Sequence, residues 1–306
     1  HNWGKNVRIL EELAALLSTL GVPVILLKGT ALVSTVYKDK SLRRMGDVDI
    51  LVRTGDMPKV DNTLNLLGYK STPIPYSHQL QKCTKCLMYE KSDSPLYIDV
   101  HWHLVNPTVL KYVYEEKVNI DRLWQEAVPV RIGQVNALCL APHHQLLHLS
   151  EHAMKHSYIS LLSMWDIKEV IDHWEERLDW KRLCREAEEF RLTGSLFYGL
   201  WLSKELFGAD VPHWILESLR PPHPGLGERV FHSLLRRDRR TGWLCLLFYV
   251  SRVQGWRKKS AFFLQGLLPA VDAPFRSNGL NDGHKHSFYR RILLKRLEWI
   301  LWTTRW

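Results

Sequence analysis

The sequence predicts an α+β protein: a mixed sheet with helices over residues 1–140, followed by an all-α helical bundle over 141–306. Two observations carry this. Short β-branched runs alternate with helical-period segments in the first part and then pair locally, whereas after Pro142 only helical periodicity remains. A third bounds it: with 45% apolar and 24% charged residues in a chain of 306, there is length and composition for a real core.

The elements follow in order. Apolar residues recur at helical spacing from Lys5 to Leu20, and Gly21 stops that helix. "VPVILLK" reads as a strand, after which Gly29 opens a second helix to about Tyr37. "DVDILV" is the next strand, and Met57 to Leu67 a helix stopped by Gly68. "CLMYEK" and "LYIDVHWHL" read as a strand pair joined by the turn-forming "SDSP". Beyond residue 140, "HHQLLHLSEHAMKH", "LLSMWDIKEVIDHW", "WKRLCREAEEF" and "SLFYGLWLSKELFG" each carry an apolar helical stripe. Residues 221–227 and 271–286 read as loops.

Three acidic residues stand where a buried strand calls for apolar ones. Asp47 and Asp49 alternate with Val48 and Ile50, so they project from one strand face. Two carboxylates so close repel, and a divalent cation is the economical way to keep both ionised. Oxygen ligation beside a phosphate favours Mg²⁺, or Mn²⁺ in its place. The bland alternative is a chance D-x-D in a turn, which the following "ILV" weakens. Asp99 interrupts another apolar strand, and at period two it shares a face with Tyr97, His101 and His103. The strand–Gly29–helix corner offers free N–H groups to an anion, with Lys28 and Thr30 adding charge and a hydroxyl. Arg43 and Arg44 either reach a phosphate or are ordinary surface.

Together "LLKGTAL", "VYKD", "LRRMGDVDILV", "LGY" and "YIDVHWHL" resemble the DNA polymerase β-type nucleotidyltransferases, and more narrowly the bacterial uncharacterised nucleotidyltransferase family, nucleotidyltransferase family 5. The likeness continues through "LLHLSEHAMKH" and "LLSMWDIKEVI", to about residue 210. At the phosphate-binding turn the wider superfamily usually has Gly-Ser or Gly-Gly, whereas this chain has Lys28-Gly29-Thr30. The resemblance implies transfer of a nucleoside monophosphate from an NTP, ATP among them, to a hydroxyl, with pyrophosphate leaving and two metal ions assisting. It implies Asp47, Asp49 and Asp99 as metal ligands and catalytic residues, and Lys28, Gly29, Thr30, Arg43 and Gly46 as nucleotide-binding residues. Asp49→Asn is then expected to abolish transfer and spare the fold.

His148, His152 and His156 lie four apart on one helix face. Three readings stay open for them: packing between the two parts, contact with the acceptor, or a metal stripe, with Asp166 a hydrogen-bond partner for one. His101 and His103, with His152 and His156, are the acceptor-side candidates. Cys83-x2-Cys86 has half-zinc-site spacing, with His78 its only nearby supplement. Trp102 is expected to point into the core.

The acceptor is expected to be a small molecule (aminoglycoside-like or a biosynthetic intermediate) or a peptide, with an RNA end ranked second. A net charge of +10 suits anionic partners or simply solvated helix faces. Two non-enzymatic readings compete: a nucleotide-sensing or partner-binding module, and an RNA binder whose salt-sensitive affinity ignores Asp47 and Asp49. Five scattered cysteines suggest reduced thiols in a cytoplasmic protein. No secretory signal is read, and His1 in place of Met suggests a trimmed start. No apolar run is long enough to span a bilayer. The closing basic segment, "SFYRRILLKRLEWILWTTRW", is an amphipathic helix that either completes the bundle or lies on a membrane surface or partner.

Overall fold

A computed structural model describes residues 2–72, 85–104, 117–222, 224–237 and 244–260, except 254 and 258. His78, Cys83, the 271–286 segment and the closing basic helix lie outside the described residues. The sheet has seven strands: β1 (Ile25–Leu26), β2 (Val48–Leu51), β3 (Lys70–Thr72), β4 (Cys86–Glu90), β5 (Ile98–His101), β6 (Val128–Ile132) and β7 (Val135–Cys139). Their order is β3-β4-β5-β2-β1-β7-β6. The sheet is mixed, because β2 runs parallel to β5 and β1 to β7 while the other neighbours are antiparallel.

On one face lie α1 (Asn2–Leu20) and α3 (Met57–Leu66), while α2 (Lys28–Thr35) gives Ala31 and Val33 to that side and Leu32 and Val36 to the core shared with the helical half. Helix α1 buries Ile9, Leu13, Leu16 and Leu20, spaced at four, three and four, and Gly21 ends it at φ 58°, a conformation glycine adopts without strain. These side chains join Val48, Ile50, Ile98 and Val100 in one apolar cluster. Leu13 has no exposed surface, so Leu13→Ala would cost about 2–5 kcal/mol.

The other face is covered by the helical half. After α4 (Ile120–Gln125) and the β6–β7 hairpin come α5 (Pro142–Lys155), α6 (Leu161–Trp174), α7 (Trp180–Glu189), α8 (Thr193–Phe207), α9 (His213–Leu219), α10 (Leu226–Arg236) and α11 (Leu244–Arg252). Pro142 starts α5 at the position where a missing N–H costs nothing. Ile25, Leu27 and Leu51 from the sheet share a core with Leu146, Ile167, Leu196 and Phe231 from the bundle. The two parts therefore meet over apolar surface, and the sheet sends odd-numbered residues of β2 to one side and even-numbered ones to the other.

Besides helix α4 and the start of α10 at Leu226, inside the segment read as a loop, three strand features differ from the sequence reading. Strand β1 is only two residues long, because the chain enters helix at Lys28. Strand β3 and the β6–β7 hairpin were not anticipated. The hairpin's signals are present: Gly133 at φ 60° in a two-residue turn, and Pro129 on the edge strand, where its missing N–H does no harm.

Candidate active site

Strand register assembles the site. Asp49 stands directly opposite Asp99 across the parallel β2–β5 pair, and Cys86 stands opposite His101 across β4–β5. Residues two apart share a face, so Asp49, Asp99, His101 and Cys86 all emerge on the side covered by the bundle. Ligand atoms of Asp49, Asp99 and His101 lie within 4.8 Å of one another. Asp47 precedes β2 rather than lying in it, is exposed, and stands outside that tight group. Gly46 beside it is also exposed.

Asp49 is 2% exposed, and its Oδ1 accepts from Lys28 Nζ at 2.6 Å and meets His101 Nε2 at 2.9 Å. Burial alone would raise its carboxyl, but Lys28 and His101 outweigh that and hold it well below the usual carboxylate range. Burial likewise opposes the Lys28 charge, and Asp49 restores it and pushes the ammonium above its ordinary value. Asp47 and Asp99 behave in the opposite sense. Partial loss of hydration, then the Asp49 charge, raises both, although Asp47 still reaches solvent. Lys28 reaches Asp49 from a left-handed backbone at φ 46°, a conformation that costs a non-glycine residue about 1–3 kcal/mol. Strain of that kind, at the first residue of α2, marks a position held for its side chain.

At the same corner, Gly29 and Thr30 are buried, and the Thr30 hydroxyl has no hydrogen-bond partner among the described residues. The Arg43 guanidinium lies on Gly29: a Cβ there would come within 3.1 Å of Nη2 and 3.2 Å of Cζ. Arg43 is fixed from elsewhere. Its Nε donates to Asp166 Oδ1 at 2.8 Å and its Nη2 to Oδ2 at 2.9 Å. The loop carrying it is tied to α1 by buried Asn6, whose Nδ2 donates to the carbonyls of Lys40 and Arg43. The expectation that Asp166 serves a histidine is corrected: it accepts from Arg43 and from Tyr37 Oη at 2.8 Å, because α6 faces α2 there.

The histidine stripe of α5 does face this site. His148–His152 and His152–His156 ring centroids are 6.5 and 4.7 Å apart. Burial, then the Lys28 charge, pushes the imidazoles of His148 and His152 well below their ordinary range, and burial lowers His156 to about 4. Each of these shifts favours the neutral imidazole. His103 lies past the end of β5 and is half-buried, while Trp102 is buried at 2% as expected. Cys86 and Glu151 also belong to this neighbourhood and are not assigned to it from sequence, whereas His148 is there one of the stripe's open readings. Alternation in β4 and the four-residue spacing of α5 held the signal, but only strand pairing says what those faces oppose.

A mixed sheet that presents opposed aspartates on parallel strands beside a cationic helix start is the arrangement of a nucleotidyltransferase, and the chain is an enzyme of that class. It belongs to the uncharacterised nucleotidyltransferase family, whose model matches residues 5–208. No curated protein sequence matches it. Among solved structures, it is similar to ANT(2'')-Ia in complex with adenylyl-2''-tobramycin, at 10% identity over 61% of this chain and 97% of that one, with a TM-score of 0.39. The solution structure of the antibiotic-resistance factor ANT(2'')-Ia matches at 11% identity over 66% and 96%, with a TM-score of 0.36. An antigenic nucleotidyltransferase-like protein from Paracoccidioides brasiliensis matches at 16% identity over 67% and 92%, with a TM-score of 0.41. No helix among the described residues is long and apolar enough to cross a membrane.

Proposed function

We propose that the chain transfers a nucleoside monophosphate from an NTP to a hydroxyl of a small-molecule or peptide acceptor, releasing pyrophosphate, with Mg²⁺ or Mn²⁺ held at the aspartates. The observation that supports it most is the pairing of Asp49 with Asp99 across two parallel strands, where core packing gives no reason for either. The donor set suits a divalent ion: two carboxylates and an imidazole lie within 4.8 Å, and Asp49 already meets the Lys28 cation.

In this reading Asp49 and Asp99 would hold the metal, with exposed Asp47 as a further ligand. When bound, the metal would neutralise charge on the triphosphate and lower the pKa of the attacking hydroxyl. His101 keeps Asp49 oriented through its 2.9 Å contact. Lys28 shares Asp49 with the metal or turns toward the phosphates, and Arg43 offers a second cation over Gly29. The neutral imidazoles of His152 and His156, with His103, line the acceptor side and orient hydroxyls by hydrogen bonding. Residues 1–140 would then carry the chemistry, and residues 141–306 would shape the acceptor's position.

The test is pyrophosphate release with each NTP, with Mg²⁺ or Mn²⁺, alone and with a panel of aminoglycosides, peptides and RNA ends. Asp99→Asn and Asp47→Asn are the informative variants, because neither carboxylate is in the buried pair with Lys28. Each is expected to lower kcat by about 100-fold or more with little change in Tm. Wild-type turnover in both variants would sink the assignment.

A further inference from the structure

A second cluster lies apart from the aspartates, on side chains the nucleotidyl-transfer reading does not use. His143 and His144 occupy the first turn of α5, Glu186 projects from α7, and Glu126 caps the end of α4. One ligand atom from each falls within 4.8 Å of the other three. Three contacts are resolved in detail: His143 Nε2 to Glu126 Oε2 at 3.2 Å, His143 Nε2 to Glu186 Oε2 at 3.4 Å, and His144 Nε2 to Glu186 Oε2 at 2.8 Å. Ligands placed tetrahedrally around zinc at its usual bond length stand roughly 3.3 Å apart, so this spacing is that of a coordination shell.

The burial makes the cluster unusual. His144 is fully buried, Glu186 is 2% exposed and His143 is 8% exposed, yet both Nε2 atoms and Glu186 Oε2 make no well-directed hydrogen bond among the described residues. Buried polar atoms left so cost free energy, and here three of them converge on one point. The outward sides of the carboxylates are occupied. Arg182 bridges them, donating from Nε to Glu186 Oε1 at 2.9 Å and from Nη2 to both oxygens of Glu126, the Oε2 that meets His143 included, while Arg122 approaches Glu186 Oε1 at 3.8 Å. Glu186 is thus divided, with Oε1 turned to arginine and Oε2 turned inward, as when outer partners orient a metal ligand.

We propose that Glu126, His143, His144 and Glu186 form a structural zinc site that staples α4, α5 and α7 together. Two imidazoles select zinc over magnesium, and four protein ligands leave no open position for catalysis. This proposal does not rest on the nucleotidyl-transfer reading.

The full chain should be purified without added metal, dialysed, and its metal content measured by mass spectrometry, then again after EDTA treatment and Zn²⁺ addition. One zinc per chain is expected in the wild type, with EDTA lowering Tm by about 5 °C and Zn²⁺ restoring it. Co²⁺ in its place should give the intense visible absorption of a tetrahedral ion. Glu126→Gln and His143→Gln, at the less buried side, should lose the zinc and the EDTA response. Asp99→Asn should keep both, which separates this site from the aspartates. The proposal is overturned if the wild type holds no zinc and ignores EDTA, or if zinc survives in the Gln variants and disappears in Asp99→Asn. Either result would leave the cluster as an arginine-bridged ion-pair network.

Discussion

Two buried carboxylates make opposite demands on pH. Asp49 has its carboxyl depressed by Lys28 and His101, so its stabilisation is complete above the ordinary carboxylate range, roughly pH 4, and is lost only in stronger acid. Glu151 is 3% exposed, with Oε1 unpartnered, and burial pushes it up to about 7 against the weaker pull of Lys155 and Lys28. The fold therefore binds its proton more tightly than the unfolded chain does. Stability should fall by about 3 kcal/mol as pH rises from roughly 4.5 to 7, then level off. Glu151→Gln should remove that slope: Tm measured at pH 5 and pH 8 would differ less than in the wild type, and an unchanged difference would refute the assignment. The same logic changes what Asp49→Asn reports. That substitution leaves a buried ammonium without its carboxylate, so it tests folding and chemistry together.

Between elements, one ion pair ties the bundle to the corner at Gly29. Asp166 of α6 receives Arg43 in a two-pronged contact and Tyr37 besides, across 123 and 129 residues of sequence. Asp166→Ala would leave a mostly buried guanidinium unpaired and should cost about 3–5 kcal/mol, read by urea unfolding. It should also free Arg43 from Gly29 and so alter KM for the nucleotide if Arg43 serves the phosphates. A variant as stable as the wild type would show that the pair contributes little. Helix boundaries here were legible because capping and periodicity are local: the stretch 161–174 is α6, and 180–189 is nearly the whole of its predicted segment. The β6–β7 hairpin was less so, since an edge strand with a proline and mixed exposure has a weak alternation signal.

Across the whole molecule, alternation and helical period in the sequence by themselves determined the α+β class, the placing of a mixed sheet before a run of helices, and the anomaly of Asp47, Asp49 and Asp99 in apolar surroundings. Those signals are carried by neighbours within a few residues, and the physical rules they obey act at that range. Only the tertiary structure decided that Asp99 stands opposite Asp49, that Lys28 rather than Asp47 is the nearest partner of Asp49, and that Arg43 belongs to Asp166. It alone brought Glu126, His143, His144 and Glu186 to one point from three separate helices. The reason is the strand order: with β5 beside β2 and β7 beside β1, partners are set by pairing between distant segments, and no spacing along the chain encodes that.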